Sequence, residues 1–404
     1  MDTRVDVLIV GAGPAGSATA CLLSQAGLDV LVADRATFPR DKPCAEYMSP
    51  SSVDMLDRLG VASRLEAGGA NPISGTTVIA AGGASLTGLY AQTGPSPLRL
   101  MGLSVARILL DATLVDEARR RGATVLEGTR VMSVERQGSG VSGAVLRSPS
   151  GAVRKVRASV TVGADGLRSV VARAFGRRIS GPLRRWAFVT HMSGIEQLHD
   201  RAELHLGTHG YVGLNPIGGG ITNVSLVVPQ RWATPAKRDL AAFFSHSLEQ
   251  FPQVRDRIRW AKVVGEIRAT GPFAIRSSRP VIDGGLLVGD AAEFFDPFTG
   301  DGIHAALRGA ELASAAIVAA IGQDELVPAK ALRSYLQARR RTFAGKWMVE
   351  RMIGYGMLAP RLFDRAVGRI GSKPPMAHTM IGVTGHVVPP TAVLNPKYLA
   401  RMII

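Results

Sequence analysis

Residues 5–10 are an apolar run rich in β-branched side chains, which predicts a buried parallel strand. Gly11, Gly13 and Gly16 follow at once, and a helical pattern from about Ala15 to Gln25 stops at Gly27. Residues 30–33 read as a second strand that ends in Asp34. A proline-punctuated loop covers 38–50, with helices expected over about 51–59 and 107–118. Twice more a strand runs into a glycine turn and a helix. The first case is 160–169, with Asp165 and Gly166 in the turn; the second is 285–303, with Gly289, Asp290, Gly300 and Gly302. Alternation at 76–81, 85–90, 185–190, 202–206 and 222–228 predicts antiparallel strands of a smaller sheet. Residues 331–371 read as helices. Their apolar stripe includes Leu332, Tyr335, Leu336, Phe343, Trp347, Ile353, Met357 and Leu362, with Lys346, Arg351, Arg361, Arg365, Arg369 and the triplet 339–341 between.

The 404 residues are 46% apolar and 20% charged, which excludes a disordered chain and suffices for a sizeable core. Two cysteines, Cys21 and Cys44, cannot build a disulfide framework, so a reducing compartment is expected. The first residues lack a signal-peptide pattern, and no stretch reads as an uninterrupted spanning segment. A cytoplasmic protein is the expectation. The net charge of +16 is unevenly placed: residues 331–404 hold twelve Lys or Arg against Glu350 and Asp364. That segment is read either as a lid touching an anionic membrane or an acidic carrier protein, or as a packed helix with a solvated basic face. Nucleic-acid binding would also need a recognised binding module, and the sequence shows none.

Strand, glycine turn, helix, strand and acid in that order make a dinucleotide-binding unit. Gly11 permits the tight turn, Gly13 lets backbone N–H groups approach a pyrophosphate, and Gly16 lets the helix pack on the sheet. Asp34 is placed to accept hydrogen bonds from a ribose. No second such unit appears, so a nicotinamide cofactor, NADPH or NADH, has no Rossmann site of its own and would visit transiently. His191, His205, His209 and His304 have no metal-ligand spacing, so no metal is expected.

Together the three motifs, across residues 5–310, resemble the FAD-dependent group that includes aromatic-ring monooxygenases, geranylgeranyl reductases and flavin-dependent halogenases. The resemblance implies an α/β fold, with a Rossmann-type FAD-binding domain, an inserted antiparallel-sheet substrate domain and a helical C-terminal segment. Residues 1–72, 104–180 and 262–330 would form the first, 73–103 and 181–261 the second, and 331–404 the third. It implies FAD contacts from Gly11, Gly13, Ala15, Gly16, Asp34, Arg35, Arg40, Cys44, Ala45, Arg107, Val131, Asp165, Gly166, Gly289, Asp290, Pro297, Gly300, Gly302 and Ile303. For Arg107 the other reading is an exposed helix arginine. Cys44, His304 and Glu293 are the catalytic candidates; Glu293 stands where relatives carry a small residue, and Asp301 where they carry Glu or Gln.

Residues 210–218 fall where halogenases carry tryptophans, and this chain has none, which argues against halogenation. The expected function is an FAD-dependent monooxygenase that uses NAD(P)H and O2 on a lipophilic or aromatic small molecule. A prenyl alkene reductase is the alternative. A non-enzymatic lipid-binding escort is the alternative of another class, disfavoured by the intact motifs.

Overall fold

The computed structural model describes residues 3–93, 99–322 and 325–403; residues 94–98 of the expected substrate stretch lie outside them. Its organising feature is a sheet with a parallel core, in the order Gly285–Leu287, Val153–Gly163, Thr3–Val10, Val30–Ala33 and Thr124–Leu126. Val10 is in register with both Gly163 and Ala33, and Gly163 with Leu287. All three glycine turns therefore leave the sheet at its carboxyl edge, where open α/β sheets bind ligands. Strands Arg130–Gln137 and Gly140–Arg147 extend the sheet in antiparallel fashion.

The helix Pro14–Gln25 packs against the helix Gly302–Ala320, and its small residues make the close approach possible. Ala18, Ala20 and Cys21 meet Ala310, Ala313 and Ile317 in one core with Val7, Ile9, Val160 and Val162. Burial pushes the Cys21 thiol up to about 12, as befits a packing residue. Gly302–Ala320 is long and apolar enough to cross a membrane by length and composition, although no uninterrupted spanning segment is expected from the sequence. In the fold it is a core helix.

A second sheet runs Lys262–Val263, Arg185–Ser193, Ile221–Pro229, Gly210–Gly218, Arg201–Gly207, Gly75–Ile79, Ser85–Leu89, with Arg268–Thr270 also on Arg185–Ser193. The expected alternating strands thus sit side by side. One boundary moves: residues 262–270, expected with the FAD-binding unit, pair with this sheet through Met192, Ser193 and 187–189.

The C-terminal helices Arg333–Gly356, Pro360–Gly371 and Pro374–Thr384 cover one face of the second sheet, burying Val349, Val367, Ile370, Met376 and Ile381 against Val78, Leu86 and Tyr90. Two members of the expected pattern are misplaced. Leu362, read into the buried stripe, is exposed, and Lys346, read onto the basic face, is buried.

Candidate active site

The turn after the first strand is built around glycines that lack Cβ for different reasons. Gly11 has φ +100°, and a Cβ there would stand 2.6 Å from the Ala164 carbonyl oxygen. A Cβ on Gly16 would stand 1.8 Å from the Gly11 oxygen, so the helix can sit on its turn only without one. Gly13 is different: the nearest protein atoms to its Cβ position are guanidinium nitrogens of Arg40 at 3.8 Å and Arg107 at 4.0 Å. Protein packing therefore does not require this glycine. No side chain caps the N-terminus of Pro14–Gln25, so its first N–H groups open onto the same cradle.

Asp34 closes the turn from the next strand, accepting from Ala12 N–H at 2.7 Å and Ala36 N–H at 2.8 Å. Both carboxylate oxygens are thus already bonded to backbone, and each keeps lone-pair capacity for the ribose hydroxyls expected of it. Thr129 N–H bonds the Asp34 carbonyl at 2.7 Å, which brings the strand of Val131 beside this end of the site. Arg35 is solvent-exposed.

Arg107 is not an exposed helix arginine; it is 5% exposed. Its guanidinium forks onto Asp111 at 2.9 and 2.7 Å, and Arg40 reaches the same carboxylate at 2.7 Å. Burial works against the Arg107 charge, but the Asp111 carboxylate outweighs it and holds the guanidinium protonated. Two cations thus share one buried anion beside Gly13, an arrangement left net positive. Arg107 and Asp111 stand at i,i+4 on one helix face, a spacing that signals such a pair in the sequence.

The loop to residue 46 is tied down by groups the sequence did not single out. Glu46, at φ +58°, accepts from the backbone N–H of Arg107 at 2.7 Å and from Asn223 at 2.9 Å, and pairs with His191 at 2.6 Å. Its hydrogen bond raises the His191 pKa, against burial, and so favours imidazolium. Asn223 also donates to the Cys44 carbonyl at 2.7 Å and Asn215 to that of Ala45 at 2.9 Å. Burial pushes the Cys44 thiol up despite Arg107 nearby, so it stays protonated.

At the other two turns, Asp165 accepts from Val170 N–H at 2.6 Å, while its other oxygen is buried with no protein partner. Burial raises the Asp165 and Asp290 pKa values; Lys42, Arg107 and Arg178 oppose this at Asp290. Arg178 fastens both turns, donating to the carbonyls of Leu167 at 3.2 Å and Asp290 at 3.4 Å. Gly300 is left-handed, at φ +69°, with a Cβ position 2.6 Å from the Tyr47 ring. The left-handed turn and the Tyr47 ring are each enough to require glycine there.

Gly13, Ala15, Cys44, Ala45, Arg107, Gly166, Gly289, Asp290, Pro297, Gly300, Gly302 and Ile303 line one cavity. The N-terminus of Gly302–Ala320 faces it and favours negative charge there. Two catalytic candidates lie off the cavity. Glu293 sits in a separate cleft, 3.5 Å from both Arg339 and Arg351, and His304 is buried with its ring stacked 3.4 Å from that of His386. The described residues hold no group of three or more His, Cys, Asp or Glu that could bind a metal.

The open cradle at Gly13 and the orphaned oxygen of Asp165 fit FAD. Gly13, Arg40, Arg107 and the uncapped helix end would hold its pyrophosphate, and the lining from Gly289 to Ile303 its ring. Arg107→Ala should then weaken FAD binding by roughly 1.5–3 kcal/mol, the worth of a charge-assisted hydrogen bond. Arg40 still neutralises Asp111 and Glu46 still caps the helix, so a titration of apoprotein with FAD reads the loss directly. An unchanged dissociation constant would make Arg107 structural only.

A second, strongly apolar chamber of about 290 Å³ adjoins the first. Ala45, Tyr47, Leu204, Gly213, Pro297 and Gly300 belong to both linings. The far wall is supplied by the C-terminal helices through Met352, Ile353, Phe363, Val367, Ile370 and Met380.

The profile of the FAD binding domain family matches residues 4–348. A menaquinone reductase of Mycolicibacterium smegmatis is 32% identical over 336 residues, which cover 78% of this chain and 76% of that protein. A digeranylgeranylglycerophospholipid reductase of Methanothrix thermoacetophila is 30% identical, covering 80% of each. Among solved structures, a geranylgeranyl bacteriochlorophyll reductase-like protein of Thermoplasma acidophilum superposes with TM-score 0.81 at 21% identity, covering 100% of this chain and 99% of that one. The myxobacterial chondrochloren halogenase gives 0.81 at 24% identity, covering 88% and 83%. These two likenesses are of fold.

Proposed function

We propose that this chain, which belongs to the FAD binding domain family and is an FAD-dependent oxidoreductase, reduces a carbon–carbon double bond in the isoprenoid part of a lipid-soluble substrate. The observation that carries this reading is the apolar chamber opening onto the cavity that fits the flavin ring. The relatives named above are named for a menaquinone and a digeranylgeranyl lipid, both isoprenoid-bearing molecules.

Reducing an alkene adds a hydride to one carbon and a proton to the other. FAD, when bound and reduced by NAD(P)H or another two-electron donor, supplies the hydride. The chain supplies the rest. Val78, Leu86, Val367 and Ile370 exclude water and hold an extended apolar chain, and Gly213 and Pro297 lie where that chain would meet the ring. Two proton-bearing residues line the flavin cavity, Cys44 and, where that cavity meets the chamber, Tyr47, and burial raises both pKa values. Each can donate a proton at neutral pH and neither is a standing nucleophile.

Oxygenation of a substrate of the same class is the second reading. It is favoured by the lack of a second nucleotide-binding unit in the sequence, since one flavin would then serve both NAD(P)H and O2. Oxygen separates the two. With a polyprenylated quinone or a geranylgeranyl lipid under strict anaerobiosis, the reductase yields a product heavier by one pair of hydrogens per bond reduced. A product that forms only in air and carries label from dioxygen establishes the second reading. No turnover of either lipid in either atmosphere overturns both.

A further inference from the structure

The outer face of Arg333–Gly356, the turn that follows it and the start of Pro360–Gly371 carry apolar side chains into solvent: Met348 is 57% exposed, Tyr355 44%, Leu358 63% and Leu362 53%. Such a stripe is the reverse of what a packed helix presents, because the buried face of the same helix is already filled by Phe343, Lys346 and Val349. Leu362 also lines the apolar chamber, beside Met352 and Gly356 of Arg333–Gly356 and Phe363 of its own helix, Pro360–Gly371. The wall of the chamber and the exposed rim are therefore one piece of chain.

The charge around this rim has one sign. Arg351, Arg361, Arg365, Arg369 and Lys373 are exposed. Arg361, Arg365 and Arg369 have no ion pair among the described residues. The acids of the segment are turned away: Asp364 accepts from Gly82 N–H at 2.9 Å, and Glu350 is held against Asp301 and Lys346 inside. Exposed apolar groups with basic flanks and no exposed acid match a bilayer surface bearing anionic headgroups, where apolar side chains enter the acyl boundary and arginines stay at headgroup level.

We propose that residues 348–362 dock on an anionic bilayer and that the chamber opens there, so that a lipid-soluble substrate passes from the membrane to the flavin site without crossing water. The partner is a membrane surface; the proposal takes its substrate class from the function proposed above, but docking itself does not require that chemistry.

The FAD-loaded full chain is mixed with substrate-free vesicles of phosphatidylcholine containing about one-third phosphatidylglycerol, at low salt, and sedimented. It should pellet with these vesicles, pellet far less with phosphatidylcholine alone, and be released as salt rises. Met348→Asp with Leu358→Asp, neither of which lines the chamber, should leave the flavin absorbance and melting temperature unchanged and reduce sedimentation at least tenfold. Arg361→Glu with Arg365→Glu should abolish the preference for anionic vesicles.

Failure to pellet overturns the proposal, as does pelleting that Met348→Asp with Leu358→Asp does not change. A concentration-dependent dimer in solution, lost in that same variant, would assign the patch to a second copy of the chain and overturn it too. Because the vesicles hold no substrate, a negative result leaves the alkene-reduction reading standing, and loss of that reading leaves the docking result standing.

Discussion

Gly13→Val is expected to give a folded, soluble protein without flavin. Gly13 has φ −75° and ψ −175°, a conformation open to any L residue, and its Cβ position meets no protein atom within 3.8 Å. The branched side chain would instead fill the cradle between Arg40, Arg107 and the helix end, and displace a pyrophosphate from at least two charge-assisted hydrogen bonds. That loss amounts to about 3–6 kcal/mol, or more than roughly 100-fold in affinity. Gly16→Ala provides the contrast. Its Cβ would lie 1.8 Å from the Gly11 oxygen, a backbone atom that cannot move without shifting the turn from the sheet. This variant should lose stability first and flavin as a consequence, by roughly 1–3 kcal/mol or more. Circular dichroism melts and visible absorbance on both purified variants make the comparison. A Gly13→Val protein with full flavin occupancy would remove the pyrophosphate from this cradle.

The glycine turns were legible because each follows a short apolar strand, and parallel strands in register bring their carboxyl ends together. Arg107 and Asp165 were legible through resemblance, since nothing local distinguishes a helix-opening arginine that turns inward from one that faces water. Glu46 was passed over because its three partners, Arg107, His191 and Asn223, lie 61, 145 and 177 residues away, and no periodicity reports such distances. Asn215 and Asn223 did carry a local signal. They are amides within strands whose neighbours are apolar, and a buried amide in such a place needs a partner. The boundary at 262–270 was missed because two very short strands, Lys262–Val263 and Arg268–Thr270, have too few residues to show alternation. Lys346 was misread for a related reason. Helical spacing assigns a lysine among arginines to the basic face, and only the fold reveals Asp301 opposite.

Lys346→Met should be among the most destabilising single substitutions in the C-terminal segment. Its ammonium is buried, 2.9 Å from Asp301 Oδ1 and 2.9 Å from the Thr384 carbonyl, and His386 Nε2 donates to the same carboxylate oxygen at 2.5 Å. Removing the lysine leaves Asp301 buried among neutral groups, at a cost of about 3–5 kcal/mol. Lys346→Met combined with Asp301→Asn removes both charges and should recover much of that loss. The same cluster sets a pH dependence. Burial depresses the pKa of His304, and the neighbouring His386 depresses it further. Burial also depresses that of His386, which Asp301 partly offsets and Lys346 reinforces. Each folded-state value lies below the ordinary one near 6.5, so the unfolded chain takes up protons that the folded chain refuses, and stability falls as pH drops below about 6.5. Asp301 is held below the usual carboxylate range by His386 and Lys346, against burial, so its contribution persists to lower pH and is lost as the pH falls through its folded-state value. Glu350 runs the other way. Burial and the Asp301 charge push it well above the carboxylate range, and the stability it contributes near pH 4 is lost as pH rises through its folded-state value. Glu350, and His191, whose pKa Glu46 raises, oppose this histidine pair between pH 7.5 and pH 5.5 — a window spanning roughly one unit on either side of the unfolded histidine value — so the linkage is read by comparing chemical denaturation of the wild type with that of a variant. His304→Phe should lose less stability, or gain more, than the wild type on passing from pH 7.5 to pH 5.5, because it removes one of the groups that must stay neutral to fold. An identical change in stability between the two pH values in the wild type and in His304→Phe would show that His304 carries no proton linkage.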